Sequence, residues 1–436
     1  GAISFPNNFY GKSNVQSLFS FTSVSTAYGN IGGIATDSSN NAYALMYNSI
    51  IKLNSAGAIQ WSKTIGGAST PLGNIGQDTS GNLYFAGDSG AQSEYINVYS
   101  LDSSGSLRWQ RMIYNPLGYN VPYATTCDSS NNVYMVGFTR RGTTGINPPN
   151  GYIVKYDSAG TLQWQKNLYS QYGSGYNSQF YNATCDTSGN IIVVGWVDGR
   201  PLVVKYNTSG SVVWSSYTNI NPSASGGIYQ GVVLDSSGNI YCVGTEFMNS
   251  VYRCCYAKYN SSGTLQWQKS IEFTGSSTGS FPSMQLGIDS SNNVYVAIRA
   301  PSATQHYLFS FDSSGSLRWA NQLYSNNSPF GTYSSFDTCK IAPNGYIYLT
   351  AALIYNSSQN FSGFFAVLPP DGSKTGTYSS SPVGSFTYTT ATYTAGTPAY
   401  TTGAQTVTQF TPTFTESAGT NITVSSGSVT TTVLNI

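Results

Sequence analysis

Charge is what this sequence has least of. Asp, Glu, Lys and Arg together make up 8% of its 436 residues, the formal net charge is +1, and there is one histidine. A general nucleic-acid binder needs a basic stripe to neutralise phosphates, so that class is excluded. A polybasic membrane signal is missing for the same reason. No apolar run approaches the roughly 20 residues of a membrane-spanning helix, so no membrane insertion is expected. The six cysteines, Cys127, Cys185, Cys242, Cys254, Cys255 and Cys339, contain no C-x-x-C pair of the metal-binding kind. They read as small buried residues of a chain assembled in a reducing cytosol. The chain starts at Gly1 without a methionine, which is expected of a chain whose leader or initiator has been removed.

What the sequence has instead is a phrase that returns. DSSGSLRW at 312–319 is matched by NSAGAIQW at 54–61, DSSGSLRW at 102–109, DSAGTLQW at 157–164, NTSGSVVW at 207–214 and NSSGTLQW at 260–267. A second phrase alternates with it, beginning at Asp37, Asp78, Asp128, Asp186, Asp235 and Asp289, as in DSSNNVY at 128–134. These first-turn aspartates follow one another at 41, 50, 58, 49 and 54 residues. Self-similarity at this scale sets the fold before any other reading.

One unit reads as four short strands. A run with small residues precedes the Asp-Ser-Ser-Asn/Gly-Asn turn, and a β-rich run such as VYMVG at 133–137 follows it. After a variable connection comes an alternating run such as YIVKY at 152–156. The second turn, begun by Asp102, Asp157 or Asp312 in three units, leads into a strand carrying Trp61, Trp109, Trp164, Trp214, Trp267 or Trp319. Gly and Asn supply the left-handed dihedrals of tight hairpins, and an Asp opening a turn bonds the backbone two residues on. A seventh, degenerate unit has APNG at 342–345 and PPDG at 369–372 in place of the two turns. Seven such units predict an all-β, seven-bladed β-propeller over residues 1–375, with an open solenoid as the alternative.

The seventh unit lacks its tryptophan strand, and VQSLFSF at 15–21 aligns with LQWQKNL at 162–168. Residues 15–21 are therefore expected to complete the last blade and close the ring, removing its largest open sheet edge. The tryptophans are expected on the wide outer strands, filling space between blades.

The repeated phrases resemble the SBBP β-propeller repeats found in secreted bacterial and viral proteins, over about residues 15–372. That resemblance bears on fold and is nearly silent on activity. After Gly372 the phrases stop. Residues 376–436 are rich in Thr, Ser, Gly, Tyr and Val, with alternation as in SFTYT at 385–389 and VTQF at 407–410. Short strands are expected there, packed on a partner chain, on copies of themselves or on the propeller. The tail resembles C-terminal segments of virion structural proteins from marine and cyanobacterial tailed phages. This implies attachment or oligomerisation through 376–436, and a propeller that stays folded and monomeric without it.

No chemistry stands out. His306 reads as a surface residue in a loop. Outside the turns the carboxylates are Asp88, Glu94, Asp198, Glu246, Glu272, Asp337 and Glu416, and they do not pair as a glycosidase needs. The second turn differs from the Asp-box of sialidases, where Asp and Gly are two apart, because Asp102 and Gly105 are three apart. It is more similar to the tryptophan-bearing repeat of quinoprotein dehydrogenases, which also have an adjacent-cysteine disulfide like Cys254-Cys255. Those enzymes imply eight blades and an acidic calcium site, whereas this chain offers seven units and no acidic cluster. Calcium usually takes several carboxylates, and each turn has one. Lys52, Lys155, Lys205 and Lys258 recur with the repeat and read as strand-surface residues. No catalytic residue, cofactor or metal is expected.

These readings lead to a non-enzymatic virion surface protein of a tailed phage, a tail, fibre or capsid-decoration component, with a secreted bacterial adhesin or matrix protein as the alternative. The irregular connections at 139–150, 169–181 and 247–253 are the expected readers of a host-surface glycan or protein. Other virion proteins, or copies of the chain, are the expected partners of the tail.

Overall fold

A computed structural model describes residues 18–23, 31–46, 49–66, 70–88, 95–115, 118, 120–140, 149–170, 178–219, 226–248, 251–273, 284–299, 305–325, 335–354, 361–380, 384–396, 401–404, 407–410, 415–418, 423–426 and 430–435. Among these every regular element is a β-strand, and no helix is long and apolar enough to cross a membrane.

Each repeat folds as an antiparallel sheet. In the third unit the strands are Asn120–Cys127, Val133–Arg140, Pro149–Tyr156 and Leu162–Ser170, each paired with the next. The innermost strands of the seven units are Ile31–Thr36, Thr70–Gln77, Asn120–Cys127, Ser178–Cys185, Gly227–Leu234, Met284–Ile288 and Ser335–Ile341. Units 2 and 3 also share one parallel bridge, Asn74 to Ala124. That close approach requires glycine at Gly73, which has φ +78° and whose Cβ would fall 1.6 Å from the Tyr123 carbonyl oxygen.

Alternation along the strands sorts side chains between two interfaces, because successive residues of a strand face opposite ways. In Val133–Arg140, Val133 and Met135 pack with Tyr84, Val98 and Trp109 of unit 2. Tyr134 and Val136 pack with Phe180, Ile191 and Val193 of unit 4. Both faces are buried, which is why this strand reads as a continuous apolar run. The same sharing recurs around the molecule. The last interface joins Ala342, Tyr348 and Phe365 of unit 7 to Ile34, Ala44 and Ile51 of unit 1. The units therefore run in a closed cycle, and the arrangement is propeller-like. An open solenoid would leave the first and last units apart.

The strand expected at 15–21 is Leu18–Ser23; residues 15–17 lie outside the described residues. It pairs antiparallel with Phe361–Leu368 and stands as the fourth strand of unit 7.

The tail does not form a module of its own. Gly384–Thr390, which also pairs with Gly376–Ser380, lies along Leu317–Ser325 of unit 6. Tyr393–Gly396 then joins Leu265–Phe273 of unit 5, and Thr401–Ala404 joins Val212–Asn219 of unit 4. Val407–Phe410 follows on Leu162–Ser170 of unit 3, Thr415–Ala418 on Leu107–Tyr114 of unit 2, and Thr423–Ser426 on Ile59–Gly66 of unit 1. Thr430–Asn435 ends beside Leu18–Ser23 of unit 7. The tail is thus a belt that gives every unit a fifth, outer strand. Of the three placements expected for it, the one on the ring is the one adopted. A fourth strand left at the rim would present unpaired backbone groups along its free edge, and the belt satisfies part of each.

Candidate functional site

The antiparallel order puts all the tight Asp turns at one end of the ring and the variable connections at the other. At the turn end, each first-turn aspartate accepts four hydrogen bonds. Oδ1 of Asp289 takes the backbone N–H groups of Ser291 and Asn293, both at 2.9 Å. Oδ2 takes Asn293 Nδ2 at 2.9 Å and the Tyr295 hydroxyl at 2.8 Å. The same set forms at Asp37, Asp78, Asp128 and Asp235. In unit 4 the tyrosine position holds Ile192, and Lys205 Nζ takes the place at 2.9 Å from Asp186 Oδ2. Burial pushes the Asp289 carboxyl up, but the hydrogen bonds from Asn293 and Tyr295 outweigh it and hold the pKa below the ordinary value.

The second turns bind their backbone through one oxygen, and only Asp157 also accepts on the other, from Gln163 Nε2 at 3.2 Å. Asp102, Asp157 and Asp312 accept two backbone N–H groups on Oδ1, and Asn54, Asn207 and Asn260 do the same with their amide oxygen. Asn therefore replaces Asp freely in the second turn and never in the six first turns, where the other oxygen also needs to accept.

Tryptophan and glycine of the second phrase meet between consecutive copies. A Cβ on Gly160, Gly210, Gly263, Gly315 or Gly372 would fall 2.6–3.1 Å from the indole of Trp109, Trp164, Trp214, Trp267 or Trp319 of the preceding unit. Trp61 stands likewise at 3.1 Å from such an atom on Gly105. Four of these indoles also donate Nε1 to a backbone oxygen of the same turn: Trp109 to Ser158, Trp164 to Thr208, Trp267 to Ser313 and Trp319 to Pro370, at 3.0–3.2 Å.

Lys155 and Lys258 belong to this joint, while Lys52 and Lys205 face the first-turn aspartates of their own units, so these lysines are not free strand-surface residues as expected. Lys155 is buried and donates to the Thr208 oxygen that also receives Trp164. Lys258 reaches the Ser313 oxygen in the same way, at 3.4 Å. Lys52, Lys155 and Lys258 also lie over Tyr43, Tyr134 and Tyr241 at 5.0–5.3 Å. Units 2 and 6 carry Ser100 and Ser310 at the lysine position, and there Arg108 and Arg318 reach in from the next strand to Tyr84 and Tyr295.

The inner strands surround a channel that is crossed by three amides. Asn74 Nδ2 donates to Asn182 Oδ1 at 3.3 Å and to Gln285 Oε1 at 3.0 Å, and Asn182 Nδ2 donates to the same Gln285 oxygen at 3.0 Å. These residues come from units 2, 4 and 6, so their bonds span the axis. At the turn end lies a cavity of about 610 Å³ whose wall includes Thr184, Asp186, Lys205, Asp235, Ile288 and Lys340. At the other end Tyr123 and Tyr181 stack with centroids 4.7 Å apart.

The remaining residues singled out in the sequence do not converge. His306 is buried in Gln305–Phe311, between Arg299 and Leu323 in the ladder, and not on a surface loop. It opens the buried apolar run Tyr307–Phe309 of the same strand, which the polar residues before it had masked. Asp198 sits in a two-residue hairpin at φ +48°. Glu246 is fully buried opposite Arg253, which pairs with Glu272 at 3.3 Å. Glu94 and most of the connections at 139–150 and 169–181 lie outside the described residues, as do the side chains of Asp88, Asp337 and Glu416. Cys254 and Cys255 are free thiols buried in one strand, and burial, with Glu246 adding to it, pushes both up. Among the described residues, no three His, Cys, Asp or Glu side chains gather as a metal set.

No protein-family profile matches the sequence, and no curated protein matches it. Among solved structures the chain is similar to a protein of unknown function from Dyadobacter fermentans, at 10% identity and TM-score 0.49, over 70% of this chain and 96% of that one. It is similar to the polysaccharide lyase Uly1 at 11% identity and TM-score 0.44, over 82% and 98% of the two chains. A calcium-binding regucalcin from Agrobacterium tumefaciens matches at 11% identity and TM-score 0.37, over 69% and 91%. We draw no functional argument from likenesses at this level.

Proposed function

We propose that the seven units are the blades of a closed, SBBP-type β-propeller serving as a non-enzymatic display platform on the surface of a tailed-phage particle. One observation carries this reading. The polar side chains that recur with the repeat are engaged in scaffold contacts: the aspartates in their turns, and the cations and tryptophans across unit boundaries. A scaffold so committed leaves recognition to the variable connections at the far end, as rigid folds commonly do. The tail, lying on the ring, supports the reading by making the platform rigid; contacts with other particle proteins would then be made by the outer face of the assembled ring.

The test is an antibody against residues 1–375 applied to particles from the source sample. Labelling in electron micrographs together with blocked adsorption supports host recognition, and labelling without blocking supports decoration. Absence of labelling on particles overturns the reading in favour of a secreted adhesin.

A further inference from the structure

The cavity at the turn end holds one charge that the repeat does not account for. In units 1 to 6 the first-turn aspartate or its tyrosine is met by a cation of the same unit: Lys52, Arg108, Lys155, Lys205, Lys258 or Arg318. Unit 7 has Ala342 where the aspartate stands, yet it brings Lys340 to the cavity wall. The matching inner-strand residues of the other units are Ala35, Gly76, Thr126, Thr184, Val233 and Gly287, all uncharged. Lys340 is open to water but surrounded by protein, as a channel-lining side chain is, and burial holds its pKa below the ordinary lysine value. It has no ion-pair partner among the described residues.

The rest of the wall is rich in hydroxyls, with Thr184, Thr187, Ser188, Ser236, Ser237 and Ser261. Further in, the Asn74, Asn182 and Gln285 amides cross the channel two residues deeper than Lys340 on their strands, roughly 7 Å at the usual strand rise. The cavity's volume, about 610 Å³, is in the range of small-molecule sites.

We propose that this pocket binds a singly charged acidic sugar, a hexuronate unit, with its carboxylate on the Lys340 ammonium and its hydroxyls on the serine and threonine side chains. One free cation matches one carboxylate. Asp186 and Asp235 in the same wall disfavour a doubly charged phosphate. The inference extends the display reading by naming a glycan unit, at the end of the ring opposite the variable connections.

Calorimetric titration of the full chain with glucuronate, glucose and inorganic phosphate tests it. Glucuronate is expected to bind at least about tenfold more tightly than glucose or phosphate, and Lys340→Met to remove that preference. Equal binding of glucuronate and glucose, tighter binding of phosphate, or unchanged binding by Lys340→Met overturns the proposal. Acylation of Lys340 in the unaltered chain, read by peptide mass spectrometry, guards against a misfolded variant. Protection by glucuronate but not by glucose is expected, and equal protection or none overturns it. The display reading fails separately. Glucuronate binding by a chain that is absent from particles sinks that reading alone, and particle labelling without glucuronate binding sinks only the pocket.

Discussion

The indole of Trp164 lies over Gly210, the turn glycine of the following unit, and donates its Nε1 to the Thr208 oxygen at 3.1 Å. Gly210 is needed twice over, for its φ of +82° and for the absence of a Cβ that would sit 2.9 Å from the ring. The joint between two units is thus built from the two least variable letters of one phrase, contributed by different copies of it.

Gly210→Ala therefore carries two penalties, and Gly345→Ala carries one. Gly345 has φ +83° with open space around its Cβ direction. The left-handed backbone alone costs about 1–2 kcal/mol at either site, and displacing the indole adds about 1–3 kcal/mol at Gly210. Urea unfolding midpoints of the two variants measure the difference; equal losses would show that the indole yields freely.

The cation of unit 2 should be movable between strands. Arg108→Gln removes the contacts to Tyr84, Ser100 and Ser158 and is expected to cost about 1–3 kcal/mol. Adding Ser100→Lys recreates the arrangement of units 1, 3 and 5, where a lysine stands opposite the tryptophan. A double-mutant cycle in urea should return a coupling of roughly 1 kcal/mol or more in favour of the pair. Additive losses would mean that the cation has no common seat.

Acid should weaken the first turns more than the second turns, whose aspartates Asp102 and Asp312 are also held low but sit closer to solvent. Asp37, Asp186 and Asp289 have pKa values held below the ordinary carboxyl range by hydrogen bonds that outweigh burial. The unfolded chain binds protons first as pH falls, so their contribution is fully present above about pH 4 and is lost as pH drops through the folded values. Asp289→Asn is expected to cost about 1–2 kcal/mol at pH 7, shrinking toward pH 3, because its Nδ2 would face Asn293 Nδ2. Asp312→Asn should cost less than Asp289→Asn at pH 7, because Asn keeps the two backbone bonds on its amide oxygen, and that smaller cost should also shrink toward pH 3. At the other extreme, burial and the Asp289 bond push Tyr295 up to about 12, so stability falls as pH rises from 10 toward that value. Urea midpoints from pH 3 to 11 check both limbs.

A chain ending at residue 375 should lose its monomeric state. It strips the outer strand from all seven units and bares part of each fourth strand, the edges most prone to pair with another chain. Size-exclusion chromatography with light scattering is expected to find oligomers, and thermal unfolding to begin lower. A stable monomer would restore the expectation drawn from the sequence, of a ring that needs no tail.

The repeat was legible because its turns are side-chain devices. Asp289, Asn293 and Tyr295 must stand at fixed offsets for one carboxylate to bind them all, so the full phrase survives in five of the six first turns, Lys205 standing in for the tyrosine in unit 4. The closing strand at Leu18–Ser23 was legible through its likeness to other fourth strands. The path of the belt was not. Apart from Tyr388, buried against unit 6 and bonded to Asn321, and Ala391, the belt's described contacts are backbone pairing, which any Thr, Ser or Val satisfies, and a strand of four residues such as Val407–Phe410 carries no address for its partner. The role of the lysines was hidden for a different reason. Lys155 acts on a turn of the next unit, 53 positions away at Thr208, which only the closed packing brings near. The channel pocket shares that property, since Lys340 and Thr184 are neighbours only across the axis.

Leu18 and Asn435 are paired residues on adjacent strands, so the described chain leaves the ring where it entered. A polypeptide arriving at the first position and departing from the last does so at a single spot on the rim. The whole ring could therefore be carried as an insertion in another protein, between two residues only a strand spacing apart, without spreading its host. Tension applied at those two points would open Leu18 from Asn435 first and then each successive pair, peeling the belt like a zip instead of shearing it.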